Sequence, residues 1–185
     1  GNGRYYIVGN DKNDSLARQL AGAFRPAAGN VKVQVNFNPQ RVRSYKLIGF
    51  EKDRLKTEDF RNDALDAAEL AAAEAGVAIY QVEPIIEGTG ELGEVSVRFK
   101  DTNSGEMIER TWTMHYETAA SAFDRATPSM QLAGLSLLAA EKLRGGPLGD
   151  AIDFKQLTHS TSLVKEVYGN STRVAEMLQV IDSLR

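Results

Sequence analysis

The stretch VKVQVNFNP, residues 31–39, decides how the rest of the chain is interpreted, because its apolar and polar side chains alternate. Valine or phenylalanine stands at every odd position from 31 to 37, and lysine, glutamine and asparagine stand between them. This period of two is typical of a β-strand that buries one face. The sequence therefore predicts that a partner sheet buries the apolar face. The residues of that face are Val31, Val33, Val35 and Phe37.

Further strands are predicted downstream, and their patterns favour antiparallel pairing. They are residues 42–51, 77–83, 95–99 and 108–116. In the last of them Trp112 shares one face with the other even-numbered residues, and His115 lies on the opposite face. An antiparallel sheet with one solvated face produces such alternation. Asp, Asn, Ser and Gly within residues 101–106 suit a hairpin turn between the last two strands.

Two segments outside the strands have helical patterns. Residues 15–24 place Leu16, Leu20 and Phe24 on one stripe, after a short apolar strand and before a connection at residues 26–29. Residues 63–75 are rich in Ala, Leu and Glu, and Gly76 follows them. By intrinsic propensity this second segment should also be helical.

The end of the chain is predicted to be helical throughout. Thr127 and Pro128 form a typical helix start, and glycines at 145 and 146 end this helix. A second helix is predicted to begin near Asp153 and to stop at Gly169. Ser171 then caps a third helix, whose apolar residues recur at helical spacing.

Composition restricts the class of protein. The chain has 185 residues, of which 42% are hydrophobic and 25% are charged, as in ordinary soluble globular proteins. A net charge of -3 argues against nucleic acid or an anionic membrane surface as the main partner. We expect neither membrane insertion nor an export signal, because the chain has no long apolar run and no basic leader. The absence of cysteine excludes disulfides and thiolate metal sites.

These patterns predict an α+β protein with an antiparallel β-sandwich-like domain and a C-terminal three-helix subdomain. Residues 1–29 contain one strand and one helix, which cannot bury a core alone and are expected to be the end of a larger α/β domain. Residues 30–126 form the strand-rich domain, and residues 127–185 form the helical subdomain.

Several segments together resemble a bacterial domain of unknown function. It is the C-terminal domain that follows a von Willebrand factor type A domain in a group of exported or membrane-anchored bacterial proteins. The resemblance covers residues 30–160, and residues 1–29 are similar to the last strand and helix of the type A domain. The segments that carry the resemblance are residues 31–39, 45–51, 58–74, 78–84 and 143–145.

The resemblance implies a place at the cell envelope but no metal site in this chain. Type A domains hold a divalent cation through an Asp-x-Ser-x-Ser loop with later Thr and Asp ligands, and we expect those segments upstream of Gly1. Residues 11–15 alternate oxygen-bearing side chains, as hard-cation ligands can. They also suit the turn before a helix, and they lack the glycine and the distal glutamate of a calcium loop. We therefore predict no metal and no other cofactor within this chain.

The chain departs from the resembled family in its middle segment. The family pattern is D-A-G-E-I-G-A-G-H, whereas residues 66–74 read DAAELAAAE. Each replacement of glycine by alanine favours helix by up to about 1 kcal/mol. Asp66 and Glu69 occupy the matching polar positions and are candidate interaction residues. Solvated or capping carboxylates are nevertheless the better explanation of both.

No catalytic constellation is recognised, so we expect a protein that is not an enzyme. His115 and His159 have no acidic or nucleophilic neighbour at a recognised spacing. Residues 88–93 imitate a dinucleotide-binding glycine pattern, but a strand is predicted after them where the cofactor needs a helix N-terminus. A hairpin loop explains this pattern better.

Two functions follow as hypotheses. The first is a non-enzymatic accessory module of a type A domain protein, which supports interaction with a protein partner or adhesion at the envelope. The second is a ligand-binding module, for instance for carbohydrate, that uses aromatic side chains as a platform. Burial of these aromatic residues would favour the first function, and exposure in a shallow groove would favour the second. The candidate residues are Tyr45, Tyr80 and Trp112.

The strand at residues 31–37 also leads to a prediction about the edge of the sheet. Relatives of this architecture build the flanking sandwich partly from chain that precedes the type A domain. We therefore expect that this strand or a neighbour lacks its native partner and leaves an exposed sheet edge.

Overall fold

The computed structural model describes residues 26–49, 55–65, 67–71, 75–119, 122–145, 147–151 and 153–183. The strand, turn and helix predicted within residues 1–25 lie outside these ranges, as does Asp66. The chain divides into two compact units, Gly1–Glu117 and Thr118–Arg185, whereas the sequence predicts a boundary between residues 126 and 127. The strands belong to the first unit and the α-helices to the second.

The described strands of the first unit form two antiparallel sheets. Their bounds are β1 Pro26–Phe37, β2 Val42–Ile48, β3 Ala68–Ala71, β4 Ile79–Pro84, β5 Gly93–Asp101 and β6 Met107–Met114. One sheet has the strand order β3-β1-β5-β6, and the other consists of β2 and β4. Each of these pairings is antiparallel, as the alternating patterns predict.

Strand β1 is an interior strand, because it pairs with β3 on one side and with β5 on the other. Val35 lies opposite Val95 of β5, and Val31 lies opposite Ala68 of β3. The irregular connection predicted at residues 26–29 is wrong, since this segment belongs to β1 and its backbone pairs with both neighbours. The exposed edge is therefore not β1. Among the described strands, the two edges of this sheet are β3, which is a neighbour of β1, and β6.

The helix predicted at residues 63–75 is wrong in the described part of that segment. Ala68–Ala71 forms β3, and a single turn of 3-10 helix at Thr57–Asp59 precedes it. Helix propensities differ by less than about 1 kcal/mol per residue among these residue types. Strand β1 offers a row of backbone hydrogen-bonding groups that must find partners. Pairing with β1 therefore overrides the local preference of this segment.

The polar side of the four-stranded sheet is deeply covered at Lys32 and Ser96. Lys32 is 1% exposed, and its Nζ donates a hydrogen bond to the carbonyl oxygen of Asn62. Ser96 is buried on the same side, whereas Val33 on the opposite side is 56% exposed. The segment around Asn62 supplies the polar partner that a buried ammonium group requires. The expectation that the valine side would be the buried one is therefore wrong at Val33.

The turn between β5 and β6 confirms the predicted hairpin. Oδ1 of Asp101 accepts hydrogen bonds from the backbone N–H groups of Asn103 and Ser104, at 2.6 and 3.0 Å. Gly105 has a φ of +75°, a left-handed conformation that glycine adopts without steric cost. The side-chain chemistry of the turn thus fixes where the two strands reverse.

Arg41 holds the connection from β4 to β5. Its guanidinium donates hydrogen bonds to the carbonyl oxygens of Ile85, Ile86 and Gly90, at 2.9 to 3.1 Å. The same group lies 4.0 Å from the ring centroid of Tyr116. The glycine pattern that imitates a dinucleotide site lies in this connection. The pattern is not a hairpin loop, because β4 and β5 belong to different sheets.

The second unit contains the predicted helices and one additional short helix. Their bounds are α1 Pro128–Arg144, α2 Pro147–Asp150, α3 Phe154–Tyr168 and α4 Thr172–Ser183. Oγ1 of Thr127 accepts a hydrogen bond from the N–H of Met130, and Gly145 ends α1 with a φ of +72°. Both predicted caps of α1 are confirmed. The core of this unit consists of Leu135, Ala139, Val164, Leu178 and Ile181.

Antiparallel sheets and helices in one chain confirm the predicted α+β class. The sandwich-like arrangement of the sheets and the three-helix subdomain stay predictions. None of the helices in the described ranges has both the length and the apolar character needed to cross a membrane.

Replacement of Leu135 by alanine should destabilise the helical unit. Leu135 is fully buried in its core, and truncation of such a side chain costs about 2–5 kcal/mol because it leaves a cavity. Met130→Ala is the matched control, because Met130 lies exposed on the same helix and should change stability by less than about 0.5 kcal/mol. Urea unfolding followed by helical circular dichroism measures both effects. Equal effects of the two substitutions would contradict the assignment of the core.

Candidate interaction surface

The apolar side of the four-stranded sheet crosses three strands. The cross-strand register places Val35, Val95 and Trp112 in one row, so that their side chains lie on the same side of the sheet. In the neighbouring rows of paired residues, the side chains on this side of the sheet are also mostly apolar. We call this side the apolar sheet face. Its apolar members are Val33, Val35, Phe37, Val95, Val97, Phe99, Ile108, Trp112 and Met114.

The apolar sheet face is exposed at its centre and at its edge. Val33 and Trp112 are 56% and 53% exposed, and Val35, Val95 and Val97 between them are half-buried. Single exposed apolar side chains are common on soluble proteins, but a contiguous group across three strands is not. Contiguous apolar surfaces of this kind mark sites of interaction.

An aromatic cluster extends the apolar sheet face towards the second sheet. The ring centroid of Phe37 lies 4.4 Å from that of Tyr45 and 5.4 Å from that of Tyr80. The two tyrosine rings are 6.3 Å apart, and Tyr45 is 58% exposed. These distances and the tilted or edge-on geometries are those of favourable aromatic pairs. Phe37 thereby connects the apolar sheet face with an exposed tyrosine of β2.

A network of charges covers the opposite side of the same sheet. Arg98 on β5 lies 2.7 Å from Asp63 and 3.3 Å from Glu109, and Arg61 lies 2.8 Å from the other oxygen of Glu109. The buried ammonium group of Lys32 lies beside the same network, where it acts on Asp63. Three cations thus share two carboxylates, and these contacts hold residues 61–63 against the sheet.

The network holds the pKa of both carboxyl groups below the ordinary range. For Asp63 the largest cause of the lowered pKa is the hydrogen bond from Arg98, with smaller contributions from the charges of Arg98 and Lys32. For Glu109 the hydrogen bond from Arg61 is the largest cause of the lowered pKa, and Arg98 adds to it. Both carboxylates are therefore fixed as anions that pair with these cations.

A second polar contact lies at the end of β6. The carboxylate of Glu91 accepts a hydrogen bond from the backbone N–H of Tyr116 and lies 3.1 Å from Nδ1 of His115. The bond from Tyr116 is the main cause of the lowered pKa of Glu91. His115 is exposed, and its one described carboxylate contact is with Glu91. In the part of the chain that the structure describes, no three His, Asp or Glu side chains form a group suited to a metal ion.

The structure brings together some of the predicted interaction residues. Tyr45 and Tyr80 belong to the aromatic cluster, and Trp112 lies on the apolar sheet face. The backbone of Glu69 lies in β3, but its side chain and all of Asp66 fall outside the described residues. The aromatic residues thus form one surface of two neighbouring sheets.

Two residues of this surface were not predicted as interaction residues. Phe37 connects the aromatic rings, and Val33 is the most exposed valine of the sheet face. Phe37 carries a weak signal in the sequence, because it is the aromatic residue that ends an otherwise valine-rich strand. Val33 carries no signal, since a valine at an alternating position predicts burial.

Acidification should remove the stabilisation that the charge network provides. A carboxyl group with a lowered pKa in the folded state stabilises the fold above its unfolded pKa, and this contribution is lost as the pH falls through the folded pKa. We expect urea stability to begin to fall below about pH 4. Asp63→Asn should lower stability at neutral pH, and its difference from the wild type should shrink towards low pH.

Glu58→Gln is the control for this experiment, because Glu58 is an exposed carboxylate of the same segment and takes no part in the network. It should leave the pH dependence of stability unchanged. A constant difference between Asp63→Asn and the wild type across the acidic range would contradict the role assigned to Asp63.

Comparison with known proteins shows one partial likeness. Residues 22–90 match the model of a family described as "Uncharacterized protein YfbK, C-terminal". A 74-residue stretch is 35% identical to "Uncharacterized protein YfbK" of Escherichia coli strain K12. That stretch is 39% of this chain and 13% of the length of the relative, so the chain matches a small part of that protein. No solved structure matches the chain.

The matched region contains β1 to β4 and the segment that covers the polar side of the sheet. It excludes β5, β6 and the helical unit, which begin after residue 90. The resemblance to an uncharacterised bacterial C-terminal domain is confirmed over this region, and the association with a type A domain stays a prediction. The chain is thus similar to the C-terminal domain of the YfbK family between residues 22 and 90.

Proposed function

We propose that the chain is a non-enzymatic interaction module that binds a protein partner through the apolar sheet face and the aromatic cluster. Exposure of the aromatic rings alone favours a ligand-binding module, but here the aliphatic Val33 is exposed together with Trp112 and Tyr45, and each is more than half accessible. This joint exposure of aliphatic and aromatic side chains is the observation that carries the proposal. Protein interfaces are enriched in aromatic side chains at their centres and exclude charge there. The surface defined above is aromatic and aliphatic, and Arg110 is the charged residue on the same side of β6.

The aliphatic residues of the surface favour a protein over a small polar ligand. Valines of β1 and β5 separate Trp112 from the aromatic cluster, and Arg110 is the charged residue in the adjacent row. An apolar surface of this kind gains affinity from buried apolar area. Ligands rich in hydroxyl groups need several convergent hydrogen-bonding side chains instead.

The cellular setting of the module is also a proposal. We propose that it acts at the bacterial cell envelope beside a von Willebrand factor type A domain, where it supports protein interaction or adhesion. Support comes from the sequence resemblance described above.

A carbohydrate-binding module is the second candidate, and the exposure of the aromatic rings favours it. Tyr45 and Trp112 are both accessible, and such rings can lie against the apolar faces of sugars. Under this candidate Tyr45 and Trp112 would carry the binding, and Val33 would contribute little.

Substitution of the sheet face should abolish capture of the partner. A pull-down from bacterial envelope extract would compare the wild-type chain with a Val33→Ser, Trp112→Ser double variant. Loss of a central tryptophan from an interface typically costs about 2 kcal/mol or more, so recovery of the partner should fall at least about tenfold. Ile86→Ser is the matched control, because Ile86 is exposed outside the surface and should leave recovery unchanged.

Equal recovery by the double variant and the wild type would contradict the proposal. Thermal unfolding of each variant shows whether the fold is retained.

The single tryptophan of the chain separates the two candidates, because its fluorescence reports on Trp112 alone. A change of emission with oligosaccharides that Tyr45→Ser removes and Val33→Ser keeps would favour the carbohydrate candidate.

A further inference from the structure

Strand β6 ends the four-stranded sheet with a long and regular edge. It has eight residues, Met107–Met114, and its register with β5 runs without a shift. None of the described strands pairs with its other side. The strand contains neither proline nor lysine, which natural edge strands commonly use to prevent pairing with another chain.

The register shows which backbone groups point away from β5. The N–H of Asp101 donates to the carbonyl oxygen of Glu106 at 2.9 Å, so these two residues form a hydrogen-bonded pair at the end of the ladder. Hydrogen-bonded and non-hydrogen-bonded pairs alternate along an antiparallel ladder. The even-numbered residues of β6 therefore bond to β5. The N–H and C=O groups of Glu109, Thr111 and Thr113 point outwards along the free edge.

The side chains of β6 leave most of this edge open. The carboxylate of Glu109 is held by Arg61 and Arg98 on the polar side of the sheet. The Arg110 guanidinium donates to the outward carbonyl oxygen of Glu109 at 3.3 Å, a long and exposed hydrogen bond. No such contact is described for the outward groups of Thr111 and Thr113. The middle of the edge thus offers donors and acceptors in the spacing of a β-strand.

We propose that two copies of this chain pair through β6, antiparallel and about a twofold axis at Thr111. In this register Thr111 lies opposite the partner's Thr111, and Glu109 lies opposite the partner's Thr113. These residues are the ones whose backbone groups point outwards, so each pair forms two hydrogen bonds. The four-stranded sheets then join into one sheet of eight strands.

Side-chain complementarity identifies a second copy as the partner and selects this register. Arg110 lies opposite the partner's Trp112, an arrangement that permits a cation–π contact at both symmetric positions. Ile108 lies opposite the partner's Met114, so apolar residues also meet. No two like charges face each other.

The neighbouring registers are less favourable. A twofold axis at Arg110 places two guanidinium groups opposite each other, and one at Glu109 does the same with two carboxylates, both of which are destabilising. An axis at Trp112 or Thr113 pairs fewer residues of β6 than the axis at Thr111. The proposal rests on the backbone edge of β6 and does not depend on the proposed function, although Trp112 contributes to both surfaces; the cross-linking test below leaves Trp112 unchanged.

Cysteine cross-linking tests the pairing and its register. The chain has no cysteine, so a single substitution introduces one thiol per chain. At the proposed axis the two Cα atoms of residue 111 are about 5.5 Å apart, within the range that a disulfide spans. Residue 113 lies about 13 Å from its own copy, because the two are offset by four residues along the strands.

Under mild oxidation Thr111→Cys should therefore form disulfide dimers at least about tenfold faster than Thr113→Cys. Circular dichroism of both variants shows that they are folded. Equal rates, or faster cross-linking at residue 113, would overturn the register. Absence of cross-linked dimer in both variants would overturn the pairing.

An exchange of side chains between positions 110 and 112 provides a second test. Trp112→Arg places Arg110 opposite the partner's new arginine and should weaken dimerisation at least about tenfold in sedimentation equilibrium. The double variant Arg110→Trp, Trp112→Arg restores an arginine opposite a tryptophan in the same register and should recover the wild-type dimer. A monomeric wild type, or a double variant as weak as Trp112→Arg, would overturn the proposal.

Discussion

The buried ammonium group of Lys32 is the constraint on which the described sheet depends. A cation removed from water must be bonded, and the carbonyl oxygen of Asn62 accepts its hydrogen bond. This bond places the following Asp63 within reach of Arg98, and Arg98 in turn contacts Glu109 on β6. The contacts connect residues of four separate segments and cover the polar side of the sheet around Lys32. On the opposite side of β1, Val33 is exposed.

The charge network acts more through geometry than through the energy of its individual pairs. Ion pairs near the surface contribute little each, because water screens them and the side chains lose freedom. A bidentate arginine between two carboxylates nevertheless fixes distances and angles, as Arg98 does between Asp63 and Glu109. Fixing Glu109 on the polar side also keeps its charge away from the apolar sheet face. The same contacts thus shape the covered side of the sheet and the interaction surface.

Several elements of the fold could be predicted because their causes are local. The alternation in β1, the Asp101 turn and the Thr127 cap each depend on residues within a few positions of one another. The segment around Ala68 was predicted wrongly as a helix, because its composition reports propensity and not the strand beside which it lies. Tyr45 and Trp112 could be named as candidates from residue type alone. Their exposure could not, since aromatic residues on strands are more often buried.

The sequence by itself determined the mixed α+β class, the antiparallel strands, the hairpin turn and the caps of the first helix of the second unit. It also determined which side chains share a face, because the period of an extended chain assigns them without reference to any partner. The tertiary structure alone decided that Lys32 of β1 is buried, that Phe37 contacts the two tyrosines, and that β6 forms one edge of the described sheet. The physical reason is that each of these features depends on contacts between distant segments, such as Lys32 with Asn62, thirty positions apart. Local sequence patterns report only the small intrinsic propensities of neighbouring residues. The free energy of hydrogen bonds and packing between distant segments outweighs these propensities, so the patterns do not predict such contacts.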